Sequence, residues 1–479
     1  MTDRPRDSSV TRKNAPPLPF RASNLPAHAT NRLLIALAAA TLLLLFPIAP
    51  LSAADVGISV ADFKSIQEAL DATEGQMIFV PSGDYPIERK IRIHTDNAGL
   101  WGPGRIVQNN PDQPILEIED ASGVRVRDLT LTRPEARQDT ALEGILALRC
   151  RDLTLENLRV VDNRTCSGAI VLRDCQGAEI RSCLVRNYMR ISIDDRTGSD
   201  DWGYAFHCID GTGIVVNSST GTLIQGNRVV EDHLLPTPEV KQQYHLGDFV
   251  KKNPVKGTIV SQKVWDEERV DNWHQGSAVI VTSPTVSDYT RILGNSIENA
   301  AQGIDIHSDH VIIAQNIVNN AFMGMKAMHG SRNVLVIGNQ FSKNDLWSIG
   351  MMPGASSHAA SPPLPGQDAL PPNVDGGSII ANNVISDFGY GHAHWIWGDG
   401  GAPIRFDTGQ KPDDPPLADI IVQGNIVYDT SRTESGGPVE KRPRYRYAVL
   451  IPKEVTGLRF SGNIFHPGWD GVSNVDLKQ

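Results

Sequence analysis

The chain has 479 residues, of which 6% are aromatic and 42 are glycine, and its formal net charge is −10. This length suits one large elongated domain or two to three compact ones, and the composition favours strands and turns over helices. Nucleic-acid binding needs a basic face, so the acidic balance argues against such a partner. An acidic ligand would have to be held by local cations.

The first 54 residues are predicted to be a signal peptide or an N-terminal membrane anchor. Residues 1–32 are polar and basic, residues 33–49 are apolar apart from Thr41 and Pro47, and small residues occupy 52–54. This order is typical of a secretory signal, while the apolar run is slightly short for a membrane span. We therefore expect an exported protein, periplasmic or extracellular. Its N-terminal segment is either cleaved off as a signal peptide or retained, with residues 33–49 as a membrane anchor.

Residues 55–95 are predicted to form a cap. Asp62 is a suitable N-cap for a helix that ends near Gly75. The apolar residues of this helix share one stripe: Phe63, Ile66, Ala69 and Leu70. A buried strand and a turn follow at 77–87. The helix and the subsequent Val-Pro-Ser-Gly-Asp-Tyr-Pro-Ile segment resemble the N-terminal cap of pectin-lyase-like right-handed β-helices, and a solenoid needs such a cap over its open end.

Five cysteines lie between Cys150 and Cys208. Cys150 and Cys175 are 25 positions apart, as are Cys183 and Cys208. An offset of one solenoid coil would bring each pair to adjacent strands, at a separation that a disulfide accepts. The pairs form either disulfides or a buried stack of reduced thiols, and Cys166 is left over in both cases.

From about Val124 onward, a Gly-Asn pair or a close variant recurs after short β-runs. The repeated asparagines are Asn227, Asn295, Asn316, Asn339, Asn383, Asn425 and Asn463. Their spacings of 68, 21, 23, 44, 42 and 38 lie near multiples of about 22, the length of one β-helix coil. Asn-rich loops of a β-sandwich would not keep one period. The sequence therefore predicts an all-β fold over 55–479, a right-handed parallel β-helix with a capping helix and long loop insertions.

Four predicted insertions interrupt the repeat, at about 232–275, 353–376, 395–417 and 431–446. Each adjoins a strand of one predicted sheet, and loops on a rigid scaffold commonly carry function. We expect these insertions to wall a groove. Trp273 and His274, at the end of the first insertion, are predicted to contact substrate.

The stretch Gly303–His310 is repeated 21 positions later as Gly324–His329. Apolar and polar residues alternate in both copies, as in a strand with one buried face. Asp305 and His307 then point away from the core, as does Lys326. If the two copies stack, Asp305 and Lys326 lie roughly 5 Å apart on one outer surface.

Residues 303–307, Gly-Ile-Asp-Ile-His, resemble the Gly-Phe-Asp-Pro-His motif of mannuronan C5-epimerases, which are also right-handed β-helices. In that family the matching Asp and His lie in the catalytic groove, so the resemblance implies catalytic roles for Asp305 and His307. Ile306 replaces the Pro of the motif, and Gln302 stands where that family carries a Tyr that transfers protons. Because this Tyr is missing, the β-elimination of β-helix polysaccharide lyases stays open beside epimerisation.

Both reactions begin with removal of the C5 proton beside a uronic acid carboxylate. This step needs a cation or acid at the carboxylate and a base near C5. Our hypothesis makes Lys326 or His307 the base and His329 the second proton-transfer group, with Asp305 orienting a base or holding a cation. The predicted partner is an acidic polysaccharide.

Three further residues are predicted to bind substrate. Trp347, one coil beyond Lys326, is a stacking platform for a sugar ring, and Asp309 and His310 adjoin the motif. Asp305, His307, Asp309 and His310 could alternatively hold a divalent metal. Calcium prefers oxygen ligands, whereas the histidines favour a transition metal.

Two other functions stay open. Asp194-Asp195 and Asp200-Asp201 faintly resemble the paired carboxylates of β-helix glycosidases, although Asp and Gly also favour a solvated turn. A glycoside hydrolase on the same scaffold is therefore the first alternative. A carbohydrate-binding solenoid without catalysis is the second.

Overall fold

The computed structural model describes residues 57–135, 137–191, 209–232, 276–284, 286–354, 356–391, 401–409, 411–429 and 443–477. Within these ranges, none of the helices is both long and apolar enough to span a bilayer. The predicted signal or anchor at 1–54 lies outside the described residues. The same holds for these predicted residues: Asp194, Asp195, Asp200, Asp201, Cys208, Trp273 and His274.

The first strand, Ile58–Ser59, is followed by a 3-10 turn, Val60–Asp62, and an α-helix, Ile66–Ala72. The helix is capped by Ser65, whose hydroxyl accepts the Glu68 N–H at 3.1 Å, so the predicted cap at Asp62 is wrong. Asp62 belongs to the preceding turn instead. Three residues of the predicted apolar stripe, Ile66, Ala69 and Leu70, are buried in the helix and join the main core. The fourth, Phe63, lies before the helix and packs against the core partly buried.

Parallel strands form the body of the molecule. One sheet has 13 strands, each hydrogen-bonded to the corresponding strand of the next coil. Its strands are Ile58–Ser59, Met77–Phe79, Gly99–Trp101, Arg125–Arg127, Thr154–Glu156, Glu179–Arg181, Leu223–Gln225, Arg291–Leu293, Ile312–Ala314, Leu335–Ile337, Gly376–Ala381, Ala418–Gln423 and Arg459–Ser461.

A second sheet of 22 strands combines two parallel ladders. We call the ladder that includes Asp305 the site ladder and the other one the flank ladder. The ladders join where two 11-residue strands, Ser296–Ile306 and Ile317–Ala327, run through both. The other strands of the flank ladder are Asp84–Ile87, Arg105–Gln108, Thr130–Thr132, Arg159–Val161, Leu184–Arg186, Arg228–Val230, Gln340–Ser342, Val384–Ser386, Ile426–Tyr428 and Ile464–Phe465. The others of the site ladder are Ile91–Ile93, Leu116–Glu119, Ile145–Leu148, Gly168–Arg173, Thr212–Asn217, Ser277–Thr282, Trp347–Met351, Ala402–Phe406, Tyr447–Leu450 and Gly471–Ser473.

This architecture confirms the predicted right-handed parallel β-helix. The remaining described strands, Arg190–Ile191 and Ile209–Asp210, form a small antiparallel pair. Apolar side chains from the 13-stranded sheet and from both ladders of the second sheet fill the inside of the coils, among them Leu155, Val185 and Ile170, which are fully buried. Outward residues alternate with these, as the period of two requires.

The repeated asparagines form a ladder inside one corner of the coils. Asn316 donates its side-chain amide to the Ile292 carbonyl at 2.9 Å and to Asn339 Oδ1 at 3.0 Å. Its own Oδ1 accepts the backbone N–H of Asn295 at 2.9 Å. The same pattern continues over Asn227, Asn295, Asn316, Asn339, Asn383, Asn425 and Asn463. The preceding residue of each has φ between 55° and 67°, which explains the frequent Gly.

The asparagine ladder corrects the predicted number of coils. Asn339 and Asn383 bond directly at 2.9 Å, so the 44 residues between them form one coil with a long loop rather than two coils. The same is true of the 68 residues between Asn227 and Asn295. Loop length varies while the stacking stays constant, because only the corner residues are fixed by the ladder.

The insertions differ in how well they were predicted. The segment 353–376 follows the strand Trp347–Met351, as expected. The predicted loop at 395–417 is wrong in part, because Ala402–Phe406 is a strand of the site ladder that pairs with Trp347–Met351. The insertion at 232–275, apart from Asp232, and residues 431–442 of the fourth insertion lie outside the described residues.

Cys150 and Cys175 occupy adjacent coils and are buried free thiols, as is Cys183, while Cys166 is partly buried. The structure therefore favours the stack of reduced thiols at Cys150 and Cys175. The predicted partner of Cys183 is not described.

Replacing Asn316 by alanine should lower the urea midpoint of unfolding markedly. The change leaves the Asn295 N–H and the Ile292 carbonyl buried without their partner, at about 1–3 kcal/mol for each group. Asn109→Ala is the control, since its side chain bonds Glu88 at an exposed position and its loss should cost no more than about 0.5 kcal/mol. Equal midpoints for the two variants would contradict the role of the ladder.

Candidate active site

The structure places Asp305 and Lys326 directly beside each other on consecutive strands, in the predicted register. Ile304 and Ile306 lie in the core, so Asp305 between them points away from it. Gly303 is required just before it, because a Cβ there would lie 2.3 Å from the Gly324 carbonyl oxygen of the next coil. The backbones of the two copies therefore approach closely where the polar residues begin.

Asp305 is the centre of a cluster with His307, Lys326 and His329, here called the acid–base cluster. Lys326 Nζ lies 3.3 Å from Asp305 Oδ2, and His307 Nε2 lies 2.9 Å from Asp305 Oδ1. The two atoms are in close contact, although their geometry is not that of an aligned hydrogen bond. The hydroxyl of Ser277, from the preceding coil, lies 3.5 Å from Oδ2.

The cluster is more buried than the sequence suggested. The Asp305 side chain is 4% exposed, against 16% for His307 and 11% for Lys326. Asp305 and Lys326 point away from the apolar core as predicted, but neighbouring residues cover both side chains more than the predicted outer surface implies. A ligand reaches His307 and Lys326 more readily than it reaches Asp305.

Charge keeps the buried Asp305 ionised. Burial alone would raise the pKa of its carboxyl, but the attraction of His307 and Lys326 outweighs this effect and holds the pKa well below its usual range. A carboxylate without these partners would cost several kcal/mol to bury. Asp305, His307 and Lys326 are therefore one electrostatic unit.

His329 stands beside this unit with its ring 4.4 Å from the His307 ring, in a T-shaped arrangement. Burial, together with the positive charges of His307 and Lys326, lowers the pKa of His329 to about 4. Its Nδ1 accepts the Ser356 N–H at 3.3 Å, which leaves the proton of the neutral ring on Nε2. His329 is therefore a neutral imidazole that presents an N–H group.

Beyond Lys326, the same outward row continues through Gly350 to Arg405. The indole of Trp347 lies against Gly350, where a Cβ would come within 2.6 Å of the ring. Arg405 stands 5.4 Å from the centre of that ring and pairs with Asp407 at 2.8 Å. Trp347 is only 4% exposed, so stacking on a sugar ring stays a prediction.

Asp309 and His310 lie on the turn after the Asp305 strand, and their described contacts are with other residues. Asp309 is buried and accepts hydrogen bonds from the backbone and the guanidinium of Arg332, the latter at 2.8 Å. His310 is exposed and contacts Asn333 and Tyr289. Their predicted role in substrate binding stays a prediction.

The predicted metal site finds little support in this arrangement. No group of three or more His, Cys, Asp or Glu side chains is placed to hold a metal ion within the described ranges. The oxygens of Asp305 face Lys326 and His307, and those of Asp309 face Arg332. Lys326, His307 and Arg332 therefore occupy the places that a Ca²⁺ ion or another divalent metal would need.

Several residues near the cluster escaped the sequence analysis. Ser277 and Arg405 belong to neighbouring coils, and nothing in their local sequence marks them. Gln302 was noted only as a missing Tyr, yet it is buried and its Oε1 has no hydrogen-bond partner among the described residues. The indole N–H of Trp347, in the same row, is likewise unpaired. Such buried polar groups need a ligand or water as a partner.

Comparison with solved structures identifies the fold. The Dettilon tailspike protein aligns over 85% of this chain and 64% of its own at 12% identity, with a TM-score of 0.55. The A-module of the Azotobacter vinelandii mannuronan C-5 epimerase AlgE6 aligns over 86% of this chain and 99% of its own at 13% identity, with a TM-score of 0.50. The likeness shows a parallel β-helix.

The catalytic domain of a GH87 alpha-1,3-glucanase is similar to the same extent, over 89% of this chain and 67% of its own, at 13% identity and a TM-score of 0.53. Neither a protein-family model nor a curated protein sequence matches the chain. At these identities the likeness concerns the fold, and the chemistry must be argued from the acid–base cluster.

The imidazole of His329 should titrate near pH 4 in the intact protein, followed by NMR with ¹⁵N-labelled histidine. Lys326→Met should raise this midpoint, because the variant removes a positive charge that disfavours the imidazolium. The spectrum of His329→Gln assigns the resonance. A midpoint near the ordinary 6.5 in the unmodified protein would contradict the described environment.

Proposed function

We propose that the protein acts on a uronic-acid-containing polysaccharide by removing the proton at C5, as a lyase or a C5-epimerase. The observation that carries the proposal is the buried Asp305 carboxylate, which holds His307 at 2.9 Å and Lys326 at 3.3 Å beside the neutral His329. A carboxylate, two imidazoles and an ammonium group within one cluster supply a base, an acid and a cation. Perturbed groups gathered in this way are typical of active sites.

Lys326 is the residue suited to the substrate carboxylate. Removing the C5 proton places negative charge on that carboxylate, and a nearby ammonium stabilises it. Lys326 is partly exposed, and Asp305 already holds its ammonium in place. A lysine side chain is ordinarily protonated at neutral pH, whereas an imidazole titrates near it, so we prefer His307 as the base.

His307 is the proposed base. Asp305 faces Nε2, so Nδ1 is the nitrogen that takes the proton from C5. The C5–H bond breaks and its electron pair passes into the carboxylate, which becomes an enediolate. Asp305 orients the ring and stabilises the imidazolium that forms, as a carboxylate does behind a catalytic histidine.

His329 is the second proton-transfer group. In β-elimination the bond between C4 and the glycosidic oxygen breaks as the C4–C5 double bond forms, and the leaving oxygen takes a proton from Nε2 of His329, which has first gained a second proton from solvent and returns to a neutral ring. In epimerisation the proton is instead delivered to C5 from the opposite face. The negative substrate raises the pKa of His329 when it binds, because it offsets the nearby positive charges.

A glycoside hydrolase is the first alternative. The fold is shared with a GH87 alpha-1,3-glucanase and with an exopolygalacturonase from Thermotoga maritima. An inverting hydrolase needs two carboxyl groups about 6.5–9.5 Å apart. The acid–base cluster has one carboxylate, Asp305, and its other members are Lys326 and two imidazoles. This composition favours proton abstraction over hydrolysis.

A carbohydrate-binding solenoid without catalysis is the second alternative. Burying Asp305 with an ammonium and imidazoles costs desolvation energy that simple binding does not need.

We place the enzyme outside the cytoplasm. Residues 1–54 would direct its export, and it would be held at a membrane only if residues 33–49 are retained.

His307→Ala and Lys326→Ala should each lower kcat/KM on a uronic-acid polysaccharide by about 10²- to 10⁴-fold, since each removes a proton-transfer or charge-stabilising group. Unsaturated products are followed by ultraviolet absorbance and epimerised residues by NMR, over a panel of polyuronates. His94→Ala is the matched control, because His94 follows a strand of the same ladder near the N-terminal end and is exposed. Unchanged turnover in either test variant would rule out the assigned roles.

A further inference from the structure

The turn that carries His329 is held by a buried carboxylate from a distant part of the chain. Asp375, at the end of the insertion 353–376, is 2% exposed. Its Oδ2 accepts the Gly330 N–H at 3.0 Å, and its Oδ1 accepts the Ser331 N–H at 2.9 Å. These are the two peptide groups directly after His329, whose own φ of 61° is costly for a residue with a side chain. The carboxylate thus fixes the backbone of His329.

The same carboxylate also fixes the imidazole ring. Ser357 donates its hydroxyl to Asp375 Oδ2 at 2.5 Å and accepts the Gly354 N–H at 3.0 Å. Gly354 packs on the ring so closely that a Cβ would lie 2.3 Å from His329 Nδ1. The neighbouring Ser356 N–H bonds that nitrogen. One carboxylate therefore holds the loop that sets both the ring orientation and its tautomer.

We propose that Asp375 is a positioning residue for the reaction, which before substrate binds keeps His329 neutral, protonated on Nε2 and in place beside His307. This inference rests on the proposed function, because His329 matters only if proton transfer occurs there. Asp375 contacts none of the reacting groups itself, and its effect passes through Gly330, Ser331 and Ser357.

The charge on Asp375 provides a signature for this role. Burial raises the pKa of Asp375 to about 7, although its three hydrogen-bond donors lower it, and the negative charge of Asp414 adds to the increase. The nearby Arg332 is paired with Asp309. Above about pH 7 the ionised carboxylate accepts all three donors. Once the carboxyl is protonated, one of its oxygens carries a hydrogen and accepts poorly from its donors.

The test compares kcat and KM from pH 5.5 to 8.5 (about 1.5 units on either side of this pKa) for the unmodified protein and Asp375→Asn. The amide mimics the protonated acid. At high pH we expect kcat of Asp375→Asn to be about 10- to 100-fold below that of the unmodified protein, with little change in KM, since a displaced catalytic group has effects of this size. The ratio of kcat for the unmodified protein to kcat for Asp375→Asn should shrink towards one as the pH falls through about 7. Ser357→Ala should also lower kcat, because it removes the hydroxyl that links Asp375 to Gly354.

Glu143→Gln is the matched control. Glu143 is also buried and accepts a serine hydroxyl, from Ser167 at 2.8 Å, but it lies on the coil four steps before that of Asp305. Its kcat ratio to the unmodified protein should stay near one at every pH. A ratio for Asp375→Asn that does not vary with pH, or an unchanged kcat, would overturn the proposal.

An NMR measurement separates this proposal from the proposed function. In Asp375→Asn the ¹⁵N shifts of His329 should lose the pattern of a ring protonated on Nε2 alone, and its titration midpoint should move from about 4 towards 6.5. This result does not need a substrate. If no polyuronate is turned over but the His329 spectrum changes as expected, the proposed function fails while the positioning role stands. An unchanged His329 spectrum would overturn the positioning role whatever the activity.

Discussion

The vertical register of the coils is the constraint on which the rest of the molecule depends. Buried asparagine side chains bond from coil to coil, and each satisfies backbone groups that its corner would otherwise leave unpaired. This ladder tolerates coils of very different length, because the residues between two asparagines can leave as a loop and return. The stacking that brings Asp305 beside Lys326 is therefore independent of the long insertions around it.

A second constraint acts on the cluster itself. Once Asp305 is buried, its negative charge has to be matched, and His307 and Lys326 do so at 2.9 and 3.3 Å. The positive charge gathered for this purpose then disfavours a further cation, so His329 stays neutral. Two imidazoles on neighbouring coils thereby acquire different roles, one paired with a carboxylate and one presenting an N–H group. Differences of environment of this kind commonly separate an acid from a base.

Sequence patterns predicted the repeat and the register because both are local. Alternation around Ile304 and Ile306 and the 21-residue spacing were enough to place Asp305 beside Lys326. The strand Ala402–Phe406 was missed because Pro403 within it and the glycines before it are typical of a loop. Contacts between residues far apart in the sequence had no local signal: no sequence pattern links Asp375 to Gly330, 45 residues away. Burial was also underestimated, since alternation tells which face a residue occupies and not what covers that face.

The central claim is that this cluster removes the C5 proton of a uronic acid residue. Incubating a polyuronate substrate with the protein in D₂O, and following C5 by NMR and mass spectrometry, tests it most directly. If the account is right, the C5 proton is lost as a double bond forms, or deuterium appears at C5 of inverted residues, and substrate deuterated at C5 reacts more slowly. Cleavage of glycosidic bonds with every C5 proton retained would contradict it.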